Sequence, residues 1–252
     1  MRRRLMVIGI GAGDPDYITL QAIEAIKRCT VFLIPQKGEA KSDLSQLRLE
    51  ILARTRREGS YRLVHFDMPK RRAAGDDYLG AVDEWHEAIA DAYQHALEQQ
   101  VGPQEVAGLL VWGDPSLYDS TLRILERLNG RTNVHLEYDV IPGITAVQAL
   151  AARHRVALND IGEPVLTTTG RKLARNPDVA EGSVVVMLDG ELAFKAADQD
   201  MFIYWGAYLG TPDEILISGR LADVAADIER LRADARDRRG WIMDTYLIKR
   251  TP

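Results

Sequence analysis

The sequence predicts an α/β protein of two lobes. Residues 1–141 read as a mainly parallel five-stranded sheet with covering helices, and residues 142–252 as an α+β lobe built on a mixed sheet. Three observations predict this. In the first half, short apolar runs alternate with amphipathic segments of helical period, as in a parallel sheet covered on both faces. In the second half, strand-like runs crowd together with fewer helices between them, as in a mixed sheet. The length of 252 residues, with 46% hydrophobic and 27% charged, suits one large domain or two small ones with ordinary cores. The change of architecture falls somewhere between 115 and 142, which predicts a cleft between two lobes.

The elements follow in order. "LMVIGI" (Leu5 to Ile10) is a buried strand, and "TLQAIEAIKRC" is a helix with Leu20, Ile23 and Ile26 at helical spacing. "VFLIP" is a second strand, and "DLSQLRLEILART" a helix with Leu44, Leu47, Ile51 and Leu52 on one side. "YRLVHF" is a third strand, Asp76 to Gln99 a long helix, and "VAGLLVW" a fourth strand. "STLRILERL" is helical and "VHLEYDVI" a fifth strand. Beyond Pro142, "PVLTTTG", "SVVVMLDG", "MFIYWGA", "EILISG" and "WIMDTYLIKR" read as strands. "LADVAADIERLRADARDRR" is a helix whose charge run predicts an exposed face.

Composition excludes several classes. A net charge of −5 and a pI of about 5.6 argue against holding nucleic acid by bulk charge, though not against a local basic pocket for a small anion. The single cysteine, Cys29, permits no intrachain disulfide and no cysteine cluster for zinc, and its place at the end of an amphipathic stretch predicts a buried structural thiol. No metal site is indicated, because the five histidines are scattered, with His86 and His95 nine residues apart. His154, at a helix end, is placed where a cation is favourable. No apolar run approaches the roughly 18 residues that span a bilayer. The opening "MRRRLMVIGIGAG" has a charged head but too short an apolar part for a signal peptide, so a cytoplasmic protein is expected.

The chemistry gathers in three turns. "VIGIGAGDPDYITLQA" has glycines at 9, 11 and 13, but a dinucleotide fingerprint fails on it. The third required glycine would fall at Asp14, whose carboxylate repels a pyrophosphate, and the second strand ends in Pro35, Gln36 and Lys37 where an acidic residue is needed. Taken alone, this turn could simply lead into a helix capped by Asp and Thr19. It has company, however. "WGDPSLYDS" carries a second Gly-Asp-Pro after a strand, and "DVIPGITAVQALAA" follows the fifth strand with a Pro-Gly turn and small residues. Carboxyl ends of strands are where open α/β sheets bind ligands, so three such loops on one edge predict a pocket. Trp112 and Trp205 end strands beside these loops and could wall a pocket or pack between lobes.

Together the three motifs, Gly9 to Pro15, Gly113 to Tyr118 and Pro142 to Ala146, resemble the tetrapyrrole (cobalamin and sirohaem) methyltransferases in identity and order. The resemblance covers the whole chain, with "SVVVML" ending at Met187 and "ISGRLADVAADI" as later matches. It implies the two-lobed tetrapyrrole methylase fold, with S-adenosyl-L-methionine folded in the cleft, S-adenosylhomocysteine as product, and a homodimer. It also implies cofactor contacts at Gly113, Asp114, Ser116, Leu117, Thr145, Ala146, Met187 and Ala207. Asp114 could favour the cationic sulfonium or lock its own turn through backbone N–H groups; both readings stand. The stretches "VIGIGAGDPDYITLQA", "IPQKGEAKSDL", "LLVWGDPSLYDST" and "LTTTGRKL" are most similar to the group that methylates C-1 of the corrin ring. That likeness implies precorrin-5 as substrate and release of its acetyl group as acetate, which requires a base or a polarised water. Asp14 and Tyr118 are the choice from Asp14, Asp16, Tyr17, Asp114 and Tyr118, because both lie within motif loops.

A polycarboxylate substrate calls for cations. Lys37, Lys41, Lys70, Arg71, Arg72, Arg171, Lys172 and Arg175 are candidates, with Lys37 and Arg171 preferred because each follows a strand end through a short turn. Three alternatives remain. One is another enzyme on the same scaffold, a tetrapyrrole methyltransferase acting at C-20, C-11 or C-17 or one methylating RNA or a protein histidine. The others are a non-enzymatic nucleoside-binding sensor and a dinucleotide oxidoreductase.

Overall fold

The structure, a computed structural model, describes residues 2–36, 42–70, 78–177 and 182–250. It divides into two compact units. One comprises Met1–Gly11 and Pro15–Ile144, the other Ala12–Asp14 and Thr145–Pro252.

The first unit alternates strand and helix as its periodicity requires. Its elements are β1 (Arg2–Gly9), α1 (Leu20–Arg28), β2 (Val31–Gln36), α2 (Ser42–Thr55), β3 (Arg62–Asp67), α3 (Tyr78–Gln100), β4 (Val106–Val111), α4 (Thr121–Asn129) and β5 (His135–Ile141). All five strands are parallel, in the order β3-β2-β4-β1-β5. Residues of opposite parity on β1, β2 and β4 supply two cores. Leu5, Val7, Leu33 and Leu109 pack on one face with Ile89, Tyr93, Ile124 and Leu125 of α3 and α4. Met6, Ile8, Phe32 and Leu110 pack on the other with Ala22, Ile26, Ile51 and Leu52 of α1 and α2. A strand buried on both faces shows no polar alternation, which is why these segments read as continuous apolar runs.

One detail of the expected helices changes. Leu20 is 82% exposed; of the three spaced residues Ile26 is fully buried, and α1 buries Ala22 and Ala25 beside it. The apolar count at spacing three misled because small alanines let the helix lie close to the sheet. Thr19 caps α1 as expected, its hydroxyl accepting from the Ala22 amide at 3.0 Å. Cys29 is fully buried and its thiol is pushed up to about 12 by burial, so it is an inert packing residue.

The second unit contains α5 (Ala146–His154), β6 (Val165–Thr169), α6 (Gly170–Arg175), β7 (Ser183–Met187), β8 (Phe202–Ala207), β9 (Ile215–Arg220), α7 (Leu221–Arg239) and β10 (Asp244–Lys249). Its sheet runs β6-β7-β10-β8-β9; β6 and β7 are parallel and the remaining neighbours antiparallel. The last strand therefore sits at the centre. Trp205 is fully buried in this core, so it packs and walls nothing. The charge run of α7 is not wholly exposed either. Arg232 is buried and its Nε donates to Asp244 Oδ2 at 2.9 Å.

Candidate functional site

The three motif turns follow β1, β4 and β5, and β1 lies between the other two strands. Ile8 is paired with Leu110 on one side and with Ile141 on the other, so all three strands end together. The turns interlock there. Gly11 and Gly113 form an isolated antiparallel bridge, the Gly113 amide donating to Gly11 O at 2.8 Å and the Gly11 amide to Gly113 O at 3.3 Å. A Cβ on Gly143 would stand 2.1 Å from Gly113 O, and one on Gly9 would stand 2.6 Å from Gly143 N. Only hydrogen at both positions allows this backbone-on-backbone packing. Gly113 is required for another reason: its φ is +67°, while a Cβ there would meet nothing within 4 Å. The turn is thus crowded on one side and open on the other.

Asp114 holds the second turn to the third. Its Oδ1 accepts from the Ser116 amide at 2.8 Å and from the Ser116 hydroxyl, and its Oδ2 accepts from the Gly143 amide at 2.8 Å. Burial pushes this carboxyl up, but the bonds from Ser116 and Gly143 outweigh it and hold the group below its ordinary value. Asp114 is therefore ionised at neutral pH, with both oxygens engaged. The turn-locking role is observed directly. Arg48 of α2, unsuspected from the sequence, donates through Nε to Leu110 O at 2.8 Å just before this turn. Nothing in the amphipathic pattern of α2 signalled that reach.

The remaining candidates divide between the units. In the first unit, Ser116 gives both its amide and its hydroxyl to Asp114, and the Leu117 amide donates to Asp114 O at 3.3 Å. Tyr118 is 42% exposed with a φ of +51°, and desolvation pushes its phenol above the ordinary value. A tyrosine held in this left-handed region carries about 1–3 kcal/mol of strain, the kind of expense that clusters at functional loops. Among the described residues, the buried indole Nε1 of Trp112 has no hydrogen-bond partner.

In the second unit, Thr145 caps α5 through a capping box. The Thr145 amide donates to Gln148 Oε1 at 2.7 Å, and the Gln148 amide to Thr145 Oγ1 at 3.4 Å. Ala146 is the first residue of that helix, Met187 the last of β7, and Ala207 the last of β8, where it is fully buried. Asp14 belongs to the second unit. Arg171, Lys172 and Arg175 all lie on α6. Lys37, Lys41, Arg71 and Arg72 lie outside the described residues. His154 departs from the cationic role expected of it. Burial pulls its pKa below the ordinary value, and its Nε2 lies 3.0 Å from Trp205 O, so it is a neutral imidazole donating a hydrogen bond to a carbonyl. Among the described residues, no group of three or more His, Cys, Asp or Glu is placed to hold a metal ion, and no helix is long and apolar enough to cross a membrane.

A parallel sheet whose three neighbouring strand ends carry locked glycine turns, followed by a mixed-sheet unit, defines the class. The chain belongs to the tetrapyrrole (corrin/porphyrin) methylases, whose family model matches residues 4–225. It is a methyltransferase of that family. Within it, the chain is 49% identical over 249 residues to precorrin-6A synthase (deacetylating) from Sinorhizobium sp, covering 98% of this chain and 95% of that protein. The crystal structure of a cobalamin synthesis related protein (CobF) from Corynebacterium diphtheriae matches with a TM-score of 0.84 at 34% identity, covering 100% of both chains. Uroporphyrin-III C-methyl transferase from Thermus thermophilus, solved in complex with S-adenosylhomocysteine, shares the fold. Its TM-score is 0.57 at 18% identity, covering 98% of this chain and 92% of that one.

Proposed function

We propose that this chain is an S-adenosylmethionine-dependent C-methyltransferase of cobalamin biosynthesis, methylating precorrin-5 at C-1 and releasing acetate to give precorrin-6A. The observation that carries the reading is the interlock of Gly9, Gly11, Gly113 and Gly143 under the Asp114 carboxylate. It leaves a rigid cup whose open side is backbone. The 49% identity to a precorrin-6A synthase over nearly the whole chain supports the particular reaction.

The cup fits the cofactor on its own features. Gly113 faces open space, and the buried Trp112 Nε1 is a donor in want of an acceptor. When bound, the cofactor supplies an electrophilic methyl group on a sulfonium with a good leaving group. The chain's own task is then placement. Asp114 keeps the turns rigid and supplies negative charge. Gly113, Asp114, Ser116 and Leu117 are the proposed contacts on the first unit, and Thr145, Ala146, Met187 and Ala207 those on the second. Ser116 acts through the turn it shares with Asp114, because its own polar groups are engaged.

Acetate release asks for proton handling. The Tyr118 phenol, protonated at neutral pH and pushed further up by burial, suits a hydrogen-bond donor to the acetyl oxygen rather than a base. Asp14 is assigned the base. Lys37 and Arg171 are proposed to meet substrate carboxylates. A homodimer in the cytoplasm completes the reading.

The test is incubation of the purified protein with precorrin-5 and methyl-labelled S-adenosylmethionine. One labelled methyl on the ring and one equivalent of acetate are expected. Methylation without acetate would move the chain to a sibling reaction, and absence of any transfer would sink the reading.

A further inference from the structure

Outside the motif turns, the first unit contains an open cavity of about 560 Å³ along the facing sides of α3 and α4, lined by Gly80, Val82, Asp83, His86, Arg123 and Arg127, the last of these in the final turn of α4. The size is that of a small-molecule site, commonly about 300–1,000 Å³. Both helices begin at the carboxyl edge of the sheet, because each follows a parallel strand. The end of the cavity lined by Gly80 and Arg123 therefore lies at the same edge as the Gly-Asp-Pro turn. It is tied to that turn as well. His86 is 7% exposed, and its Nε2 lies 2.9 Å from the hydroxyl of Ser120, which ends the loop that Asp114 begins.

The charges in this cavity are unequally matched. Arg127 is engaged by Asp83 and Glu87. Arg123 makes no hydrogen bond or ion pair among the described residues, although it lies near enough to His86 to act on its charge. Burial, then Arg127 and Arg123, pull His86 below its ordinary pKa against the opposing effect of Asp83, so the imidazole is neutral. The lining thus offers one surplus guanidinium, a second already held in place by carboxylates, and a neutral ring fixed by a hydroxyl. A guanidinium suits a carboxylate bidentately, and an exposed Arg backed by a positioned Arg gives that contact direction.

We propose that this cavity seats a carboxylate-bearing side arm of the tetrapyrrole substrate, gripped by Arg123. The assignment rests on the proposed methyl transfer and adds a substrate contact to it. It accounts for a cation at the working edge that the strand-end pattern of the sequence did not single out.

The experiment uses the full chain and three probes. Steady-state kinetics with precorrin-5 compare the native protein with the Arg123→Ala and Arg123→Lys variants. Calorimetry measures S-adenosylhomocysteine binding to each. Proton NMR follows the His86 ring during titration with uroporphyrin I, a stable polycarboxylate tetrapyrrole, and separately with acetate and inorganic phosphate. A lost charge-assisted contact predicts a KM about tenfold or more higher for Arg123→Ala. Its kcat and S-adenosylhomocysteine affinity should stay within about twofold, and Arg123→Lys should recover part of the loss. Uroporphyrin I should move the His86 signal and raise its pKa in the native protein and not in Arg123→Ala. Unchanged KM, or an unmoved His86 signal, overturns the proposal. An equal response to acetate or phosphate also overturns it, by showing a general small-anion site. If the native protein transfers no methyl group but uroporphyrin I still moves His86 through Arg123, the activity reading fails and the carboxylate seat stands.

Discussion

At the scale of single residues, two glycines in adjoining turns make opposite demands. Gly143 is needed for space and Gly113 for its left-handed φ. The Gly143→Ala variant must push Gly113 O aside, breaking the bond from the Gly143 amide to Asp114; loss of measurable S-adenosylhomocysteine binding is expected. The Gly113→Ala variant meets open space and pays only the conformational cost, about 1–2 kcal/mol, so it should fold with a modestly lower midpoint of unfolding. Calorimetric binding and thermal melts of the two variants check the contrast, and equal behaviour would contradict the geometry. The sequence displayed these glycines and Asp114, because motif residues are local text. It left open whether Asp114 locks its turn or meets a ligand. That depended on the Gly143 amide, which lies 29 residues away. His86 and Arg123 carried no local mark at all, since their meaning arises only where α3 and α4 come side by side.

At the scale of elements, the loop after β7 is held by a buried polar network. Asp189 accepts from the Glu191 and Ala193 amides and from the Tyr246 hydroxyl, while its carbonyl accepts from Arg232. Arg232 in turn pairs with Asp244, which also accepts from Trp205 Nε1 at 3.0 Å. The loop that results carries Leu188 and Leu192 at φ of +54° and +59°, a conformation the network must sustain. Burial pushes the Asp244 carboxyl above its ordinary value, and the Arg232 charge with the bonds from Arg232 and Trp205 offsets that only in part. Replacing Arg232 by Met strands that carboxyl and should cost about 3–5 kcal/mol. Adding Asp244→Asn, which keeps an acceptor for Trp205, should recover much of the loss. Urea unfolding of the single and double variants measures both; a single variant as stable as the native chain would refute the coupling. The helical period of α7 was legible in the sequence, but its charge run concealed which arginine turns inward.

At the scale of the whole molecule, acid stability follows from two histidines, one in each unit. His86 and His154 both have pKa values lowered chiefly by burial. Their unfolded value is about 6.5, so below it the unfolded chain binds protons that the folded chain refuses. Stability is full above that pH and declines as pH falls through 6.5 toward the lower folded values. Asp114 adds a later loss, since its depressed carboxyl stabilises the fold above its unfolded value and ceases to do so as pH falls through the folded one. Melting temperatures between pH 7.5 and 5 should fall, and a chain with both His86→Gln and His154→Gln should show a flatter profile. An unaltered slope, or histidine NMR titrations at ordinary values, would contradict this.

What the sequence by itself determined is the order and kind of the elements, the parallel first sheet and mixed second one, and the family, because these rest on periodicity and on turn residues that act within a few positions of themselves. What only the tertiary structure decided is which of those residues meet. Parallel strands β4, β1 and β5 are separated by long crossovers in the chain yet adjacent in the sheet. Hydrogen bonding across that sheet, not proximity in sequence, brings three distant glycine turns together under one carboxylate.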